Sequence, residues 1–150
     1  MDRNTYLGNL KKAFASQYVF LIKSQNYHWN ITGRAFYADH LLLERIYQEV
    51  EESIDAFAEN LRKVDTFVPA GVVQFGKLSV IKDSAPEPAN AAVMLTDLYE
   101  DALMMVEVFK QLFVVAEAAG DHGLSNFLAD RQDAFAGHAW MLGALRNPPS

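Results

Sequence analysis

The sequence predicts an all-α protein, a bundle of four long helices in which one long crossover joins the second helix to the third. Two observations carry this expectation. Four segments repeat apolar residues at alternating steps of four and three, the pattern of an amphipathic helix. Between the second and third of them, residues 65–90 are punctuated by Pro69, Gly71, Gly76, Pro86 and Pro88, which interrupt any such pattern.

The first helix follows Asn4, an N-cap residue type, with Leu7, Leu10, Phe14, Tyr18, Leu21 and Gln25 in register, and it reaches His28. Thr32-Gly33-Arg34 then breaks the pattern. The second helix runs from about Phe36 to Val64, with Leu43, Tyr47, Val50, Ile54, Phe57 and Leu61 on its apolar stripe, and ends before Pro69 and Gly71. Such a helix is about 43 Å long at roughly 1.5 Å per residue. The linker can cross that distance, which makes the third helix parallel to the second. Within the linker only Lys77–Lys82 has the composition of a short helix. The third long helix runs from Ala91 through Leu95, Leu98, Ala102, Met105, Phe109, Leu112 and Ala116 to Gly120. The fourth runs from Leu124 through Leu128, Phe135, His138, Leu142 and Leu145 to Pro148. Met94, Met104 and Met105 read as core filling.

A chain of 150 residues with 51% hydrophobic and 21% charged residues is expected to form one globular domain, residues 1–150. Its net charge of −6 argues against general attraction to nucleic acid or anionic membrane and suits cations. The absence of cysteine excludes disulfides and thiolate metal sites, and it fits a cytoplasmic location. The longest apolar run near the N-terminus, Tyr18–Ile22, is too short for a signal-peptide core, and no membrane span is expected.

The second helix carries a second set of residues, His40, Glu44, Asp55 and Glu59, on a face away from its apolar stripe. Each pair is spaced by four, so each points two ligands in one direction. Glu44 and Asp55 are eleven residues apart, however, which is about 16 Å along the axis and too far to share one metal. A two-fold dimer resolves this, with His40 and Glu44 of one chain meeting Asp55 and Glu59 of the other in reciprocal sites. His28 precedes His40 by twelve residues across the Gly33 turn and can fold back to join it. Imidazole with carboxylate suits iron, manganese or zinc.

This pattern resembles the Dps-like miniferritins, the family of DNA-binding proteins from starved cells within the ferritin-like superfamily. The family motif is His-Trp-Asn, a Gly, an aromatic, a His with an acid four residues on, and later Asp-x-x-x-Glu. Here it stands as His28-Trp29-Asn30, Gly33, Phe36, His40, Glu44, Asp55 and Glu59. Ala116-Glu117, Gly120-Asp121 and His138-Ala139-Trp140-Met141-Leu142 extend the resemblance, at lower specificity, to nearly the whole chain. The resemblance implies a ferritin-like four-helix bundle with one long crossover, assembled from two-fold dimers into a hollow dodecamer. It implies a ferroxidase that oxidises ferrous iron, with hydrogen peroxide as the family's preferred oxidant, and stores ferric mineral in the shell. His28, His40 and Glu44 of one chain with Asp55 and Glu59 of its partner would be both metal ligands and catalytic residues, and zinc or manganese could substitute for iron. Trp29 would lie beside the site, packing first and able to give up an electron to quench a radical. Asp121, and more weakly Asp130, would line the pore through which iron enters, with Asn126 at a position often acidic in relatives. Direct DNA binding is expected to be weak or absent. Relatives that coat DNA often use a Lys-rich tail, whereas this chain begins MDRNTY and ends Arg146-Asn147-Pro148-Pro149-Ser150.

Each residue also has an ordinary reading. A lone His is more often hydrogen-bonded than metal-bound, and Glu44, Asp55 and Glu59 could be a solvated acidic face, as Glu49, Glu51 and Glu52 are expected to be. Asp121 and Asp130, flanking the start of the fourth helix, could serve its N-terminus. His122 and His138 read as structural, His138 on the core side. No helix carries the Glu-x-x-His pair of large di-iron bundles, which favours a site between subunits. The alternative function is a cage that binds a divalent metal without turnover or is purely structural.

Overall fold

Helix α1 (Arg3–Asn30) begins at Asp2, whose carboxylate accepts the Thr5 amide at 2.9 Å. Asn4, expected as the cap, lies inside the first turn. In this computed structural model residues 1–146 are described apart from Pro86 and Pro88. Those two prolines of the crossover, Pro148 as the stop of the last helix, and the C-terminal residues 147–150 of the DNA argument lie outside the described residues.

Gly33, at φ 122°, makes the turn that a side-chain-bearing residue would resist, and α2 (Phe36–Lys63) returns antiparallel to α1. What stops α2 is Asp65 in the left-handed region at φ 62°, a conformation Asp tolerates better than most. Arg3 then donates to the freed Val64 carbonyl at 2.7 Å. The short crossover helix is α3 (Val72–Leu78), not Lys77–Lys82 as expected. Gly71 lies at its N-cap, Gly76 is absorbed within it, and Phe75 stacks on Tyr18 of α1 at 4.3 Å. Residues 79–81 instead form a turn in which Ser79 Oγ bonds the Ile81 amide and carbonyl. Helix α4 (Ala91–Ala118) is capped by Asn90 on the Val93 amide at 2.9 Å. Gly120, at φ 76°, ends it, and α5 (His122–Arg146) starts where Asp121 accepts the Leu124 amide at 3.1 Å. No described helix is long and apolar enough to cross a membrane.

The core is a ladder of aromatic rings. Phe14 meets Phe57 edge-on at 5.4 Å, Phe57 meets Phe109 at 5.9 Å, and Phe135 meets both Phe109 and Phe20. Burying each such side chain contributes roughly 1.5–3 kcal/mol. Met94 and Met105 fill the core as expected, but Met104 is 44% exposed because it falls on the outer face of α4. Helix α1 is buried on more than the one stripe its spacing suggests, since α2, α3 and α4 all pack on it. Lys23 is accordingly 1% exposed.

That lysine is paired rather than bare. Its Nζ lies 2.5 Å from Asp101 Oδ2 and 2.8 Å from Asp97 Oδ2, both on α4, and the Tyr27 hydroxyl donates to Asp97 at 2.5 Å. Two carboxylates thus share one ammonium. Burial, opposed by Lys23 and reinforced by Asp97, pushes Asp101 up to about 6. A carboxyl raised on folding favours the protonated state, so its stabilising contribution is full below its unfolded value and is lost as pH rises through about 6. From about pH 5 to about pH 8 the protein is expected to lose roughly 1 kcal/mol of stability relative to Asp101→Asn. Denaturant melts of the two proteins across that range check this, and a constant difference would contradict it.

Candidate metal centre

His28 sits in the last turn of α1 and His40 early in α2, and the Gly33 turn folds them onto each other. Their rings stack at 3.8 Å, 12° from parallel. His28 Nδ1–H donates to the His40 carbonyl and His40 Nδ1–H donates to the His28 carbonyl, both at 2.7 Å. A carbonyl can only accept, so each Nδ1 carries the proton, and in the neutral ring each Nε2 keeps a lone pair. No described residue engages either Nε2. Tyr47 abuts the His28 ring edge-on at 5.2 Å and Phe36 stacks on His40 at 5.0 Å, fixing both imidazoles. Fixing the second nitrogen is how proteins orient a metal-binding imidazole.

Glu44 is half-buried one turn beyond His40, while Asp55 and Glu59 are exposed farther along α2. None of the three side chains makes a hydrogen bond or ion pair with another described residue. Among the described residues no three His, Asp or Glu side chains converge in a way that could hold a metal. The structure therefore brings His28 to His40 and leaves Asp55 and Glu59 apart from them within one chain. Trp29 is 67% exposed and so does not pack into the chain that carries it. Asp121 acts as the α5 cap, whereas Asp130 lies two turns inside α5, exposed and away from the helix start. His122 is exposed and lies 3.1 Å from Glu117.

Glu49 departs from the sequence expectation. Instead of being solvated, it receives both arms of Arg131 and the Nε2–H of His138. Burial alone would raise its carboxyl, but these hydrogen bonds and the Arg131 charge outweigh it and hold it near 2. His138 is indeed on the core side, 4% exposed. The signal for this network was present in the sequence, since Arg131 falls in register with Leu128 and Phe135 and Gln17 falls between Phe14 and Leu21 on the buried stripe of α1.

An all-α bundle whose second and third long helices are joined by one crossover is the architecture of ferritin-like proteins. The family model described as the ferritin-like domain matches residues 7–148. The chain is 31% identical over 135 residues to antigen TpF1 of Treponema pallidum, covering 90% of this chain and 76% of that protein. It is 28% identical over 136 residues to the DNA protection during starvation protein of Brevibacillus brevis, covering 91% of each. The crystal structure of TpF1 superposes with a TM-score of 0.91 at 29% identity over 98% of this chain and 96% of that one. The chain belongs to the ferritin-like family and, within it, is a Dps-like miniferritin.

The reciprocal bonds predict the tautomer directly. In metal-free protein at mildly alkaline pH, nitrogen-15 NMR should find both His28 and His40 protonated at Nδ1. An Nε2–H resonance on either ring would contradict the geometry.

Proposed function

We propose that this protein oxidises ferrous iron at sites shared between two copies of the chain and stores the ferric product within a hollow shell. The observation that carries the reading is the His28–His40 pair, in which both Nδ1 protons are committed to the backbone and both Nε2 atoms are left to bind a metal. Glu44 would add a carboxylate from the same chain. Asp55 and Glu59 of a two-fold-related chain would complete the site, since α2 holds its two ligand pairs about 16 Å apart.

The surface around Asp55 suits such a partner. An open groove of about 410 Å³ beside it is lined by Tyr18, Leu21, Ile54, Ala58 and Val68. Phe67, Val72 and Val73 of the crossover are 79%, 88% and 68% exposed, apolar side chains that burial against a second copy would cover. Iron is the substrate here, and zinc or manganese would compete for the same nitrogen and oxygen ligands. The imidazoles would fix geometry while the carboxylates offset the charge of the ferric product. With hydrogen peroxide as oxidant, paired electron transfer from ferrous iron consumes both reagents of hydroxyl-radical formation, so protection of DNA would be chemical. Trp29, adjacent to His28, would serve as a radical trap, and Asp121 with Asp130 would attract iron at an entry pore of a twelve-subunit cage. Relatives named for protecting DNA during starvation are consistent with this role.

Stopped-flow absorbance of ferric formation, after anaerobic ferrous loading and peroxide addition, tests the reading. An assembled His28→Ala/His40→Ala variant is expected to oxidise iron at least about tenfold more slowly than the wild type. The wild type is also expected not to retard duplex DNA at physiological salt. Equal, slow traces from both proteins would instead indicate a non-catalytic metal-binding or structural cage.

A further inference from the structure

Midway along the bundle, away from the His28–His40 pair, polar side chains from three helices converge. Glu49 of α2 is their hub. Its Oε2 accepts from Arg131 Nη1 at 2.6 Å, and its Oε1 accepts from Arg131 Nη2 at 3.2 Å and from His138 Nε2 at 2.8 Å. Arg131 Nε donates to Gln17 Oε1 at 3.3 Å, and the Gln17 amide in turn donates to the Ser53 hydroxyl. The Arg131 guanidinium lies over the Phe135 ring at 5.3 Å. Side chains of Arg131 and His138 are 5% exposed, but that of Glu49 is 36% exposed, so the hub keeps an edge toward solvent.

Without the guanidinium, the Glu49 carboxylate and the Gln17 amide oxygen would border the space a cation now fills, with His138 Nε2 beside them at 2.8 Å from Glu49 Oε1. That is a donor set for a borderline divalent ion. Inward-facing carboxylate and imidazole at a bundle centre is also how helical bundles hold metals generally. Arginine is always charged and binds the carboxylate through a planar fork. An incoming ion would have to break that bidentate pair and strand a like charge among aromatic rings. His138 Nδ1 is buried without a partner already. Moving the ring proton from Nε2 to Nδ1 on metal binding would only exchange one unsatisfied atom type for another.

We propose that Arg131 is the resident cation of a latent metal site formed by Glu49, His138 and Gln17, and that its guanidinium keeps divalent ions out of the bundle centre. Arg131 is in this sense a specificity-determining residue. It closes the interior ligands and leaves divalent ions to the outer face of α2.

Zinc titration of the metal-free, assembled protein tests this by calorimetry and by thermal unfolding with and without the ion. Arg131→Ala should take up one more zinc per chain than the wild type, and adding His138→Ala should abolish that increment. Zinc should also raise the Tm of Arg131→Ala more than that of the double variant, because binding to the folded state alone stabilises it. The added ion is counted between variants that share every other site, so a failed outer site would not mimic a failed inner one. An unchanged zinc count in folded Arg131→Ala would overturn the proposal. Arg131→Gln, which keeps an amide donor toward Glu49, serves as a milder variant. Should neither fold without metal, refolding in zinc becomes the readout. Recovery of helical protein carrying the extra zinc would support the latent site, and failure to recover would overturn it.

Discussion

A straight helix advances about 1.5 Å per residue and cannot fold one of its ends onto the other. Helix α2 carries the two proposed ligand pairs on one side of its length, and this rigidity separates them as firmly as any wall would. What one chain can assemble is the half built across the Gly33 turn, where two imidazoles exchange hydrogen bonds with each other's backbone. That exchange closes the α1–α2 corner and sets the tautomer in the same act. In the proposed site the remaining half would come from a second copy, and the open groove beside Asp55, with Val68 of the crossover in its lining, is where that copy would seat.

The interior is less uniformly apolar than the sequence pattern suggests. Lys23 with Asp97 and Asp101 ties α1 to α4, and Glu49 with Arg131, His138 and Gln17 ties α2 to α5 and α1. Buried ion pairs of this kind add little net stability relative to apolar packing, but a misregistered helix would leave a charge unpaired. The two clusters also respond oppositely to acid. Asp101 favours the protonated state, whereas Glu49, held near 2, contributes stability above its unfolded value that is lost as pH falls through the acid range.

The helical framework was legible in the sequence because burial imposes a period. Leu95, Leu98, Ala102, Met105, Phe109, Leu112 and Ala116, read as one stripe, are all buried. The ends of elements were less legible. Asp2 displaced Asn4 as the cap of α1, and α3 formed ahead of its expected position because Phe75 found a ring to stack on. Glu49 was read as solvated because charge normally marks a surface, and its true partners lie 82 and 89 positions away in the chain. Periodicity carries no information about such pairings unless the opposing charge is itself noticed on an apolar stripe, as Arg131 is. Of the candidate site, the spacing between ligands was readable while the hydrogen bonds that orient them were not, since those depend on how the turn at Gly33 closes.

The most direct test of a site shared between chains is complementation. One chain would carry His28→Ala/His40→Ala and the other Asp55→Ala/Glu59→Ala, and the two would be co-assembled in equal amounts. Each assembly alone should oxidise iron poorly. If sites join the histidines of one chain to the acids of another, random pairing restores an intact site at about a quarter of the positions, because half of the dimers are mixed and each holds one complete site. Recovery near that level is the predicted result. A mixture no faster than its parents would show that the histidines and the acids do not act across the subunit interface.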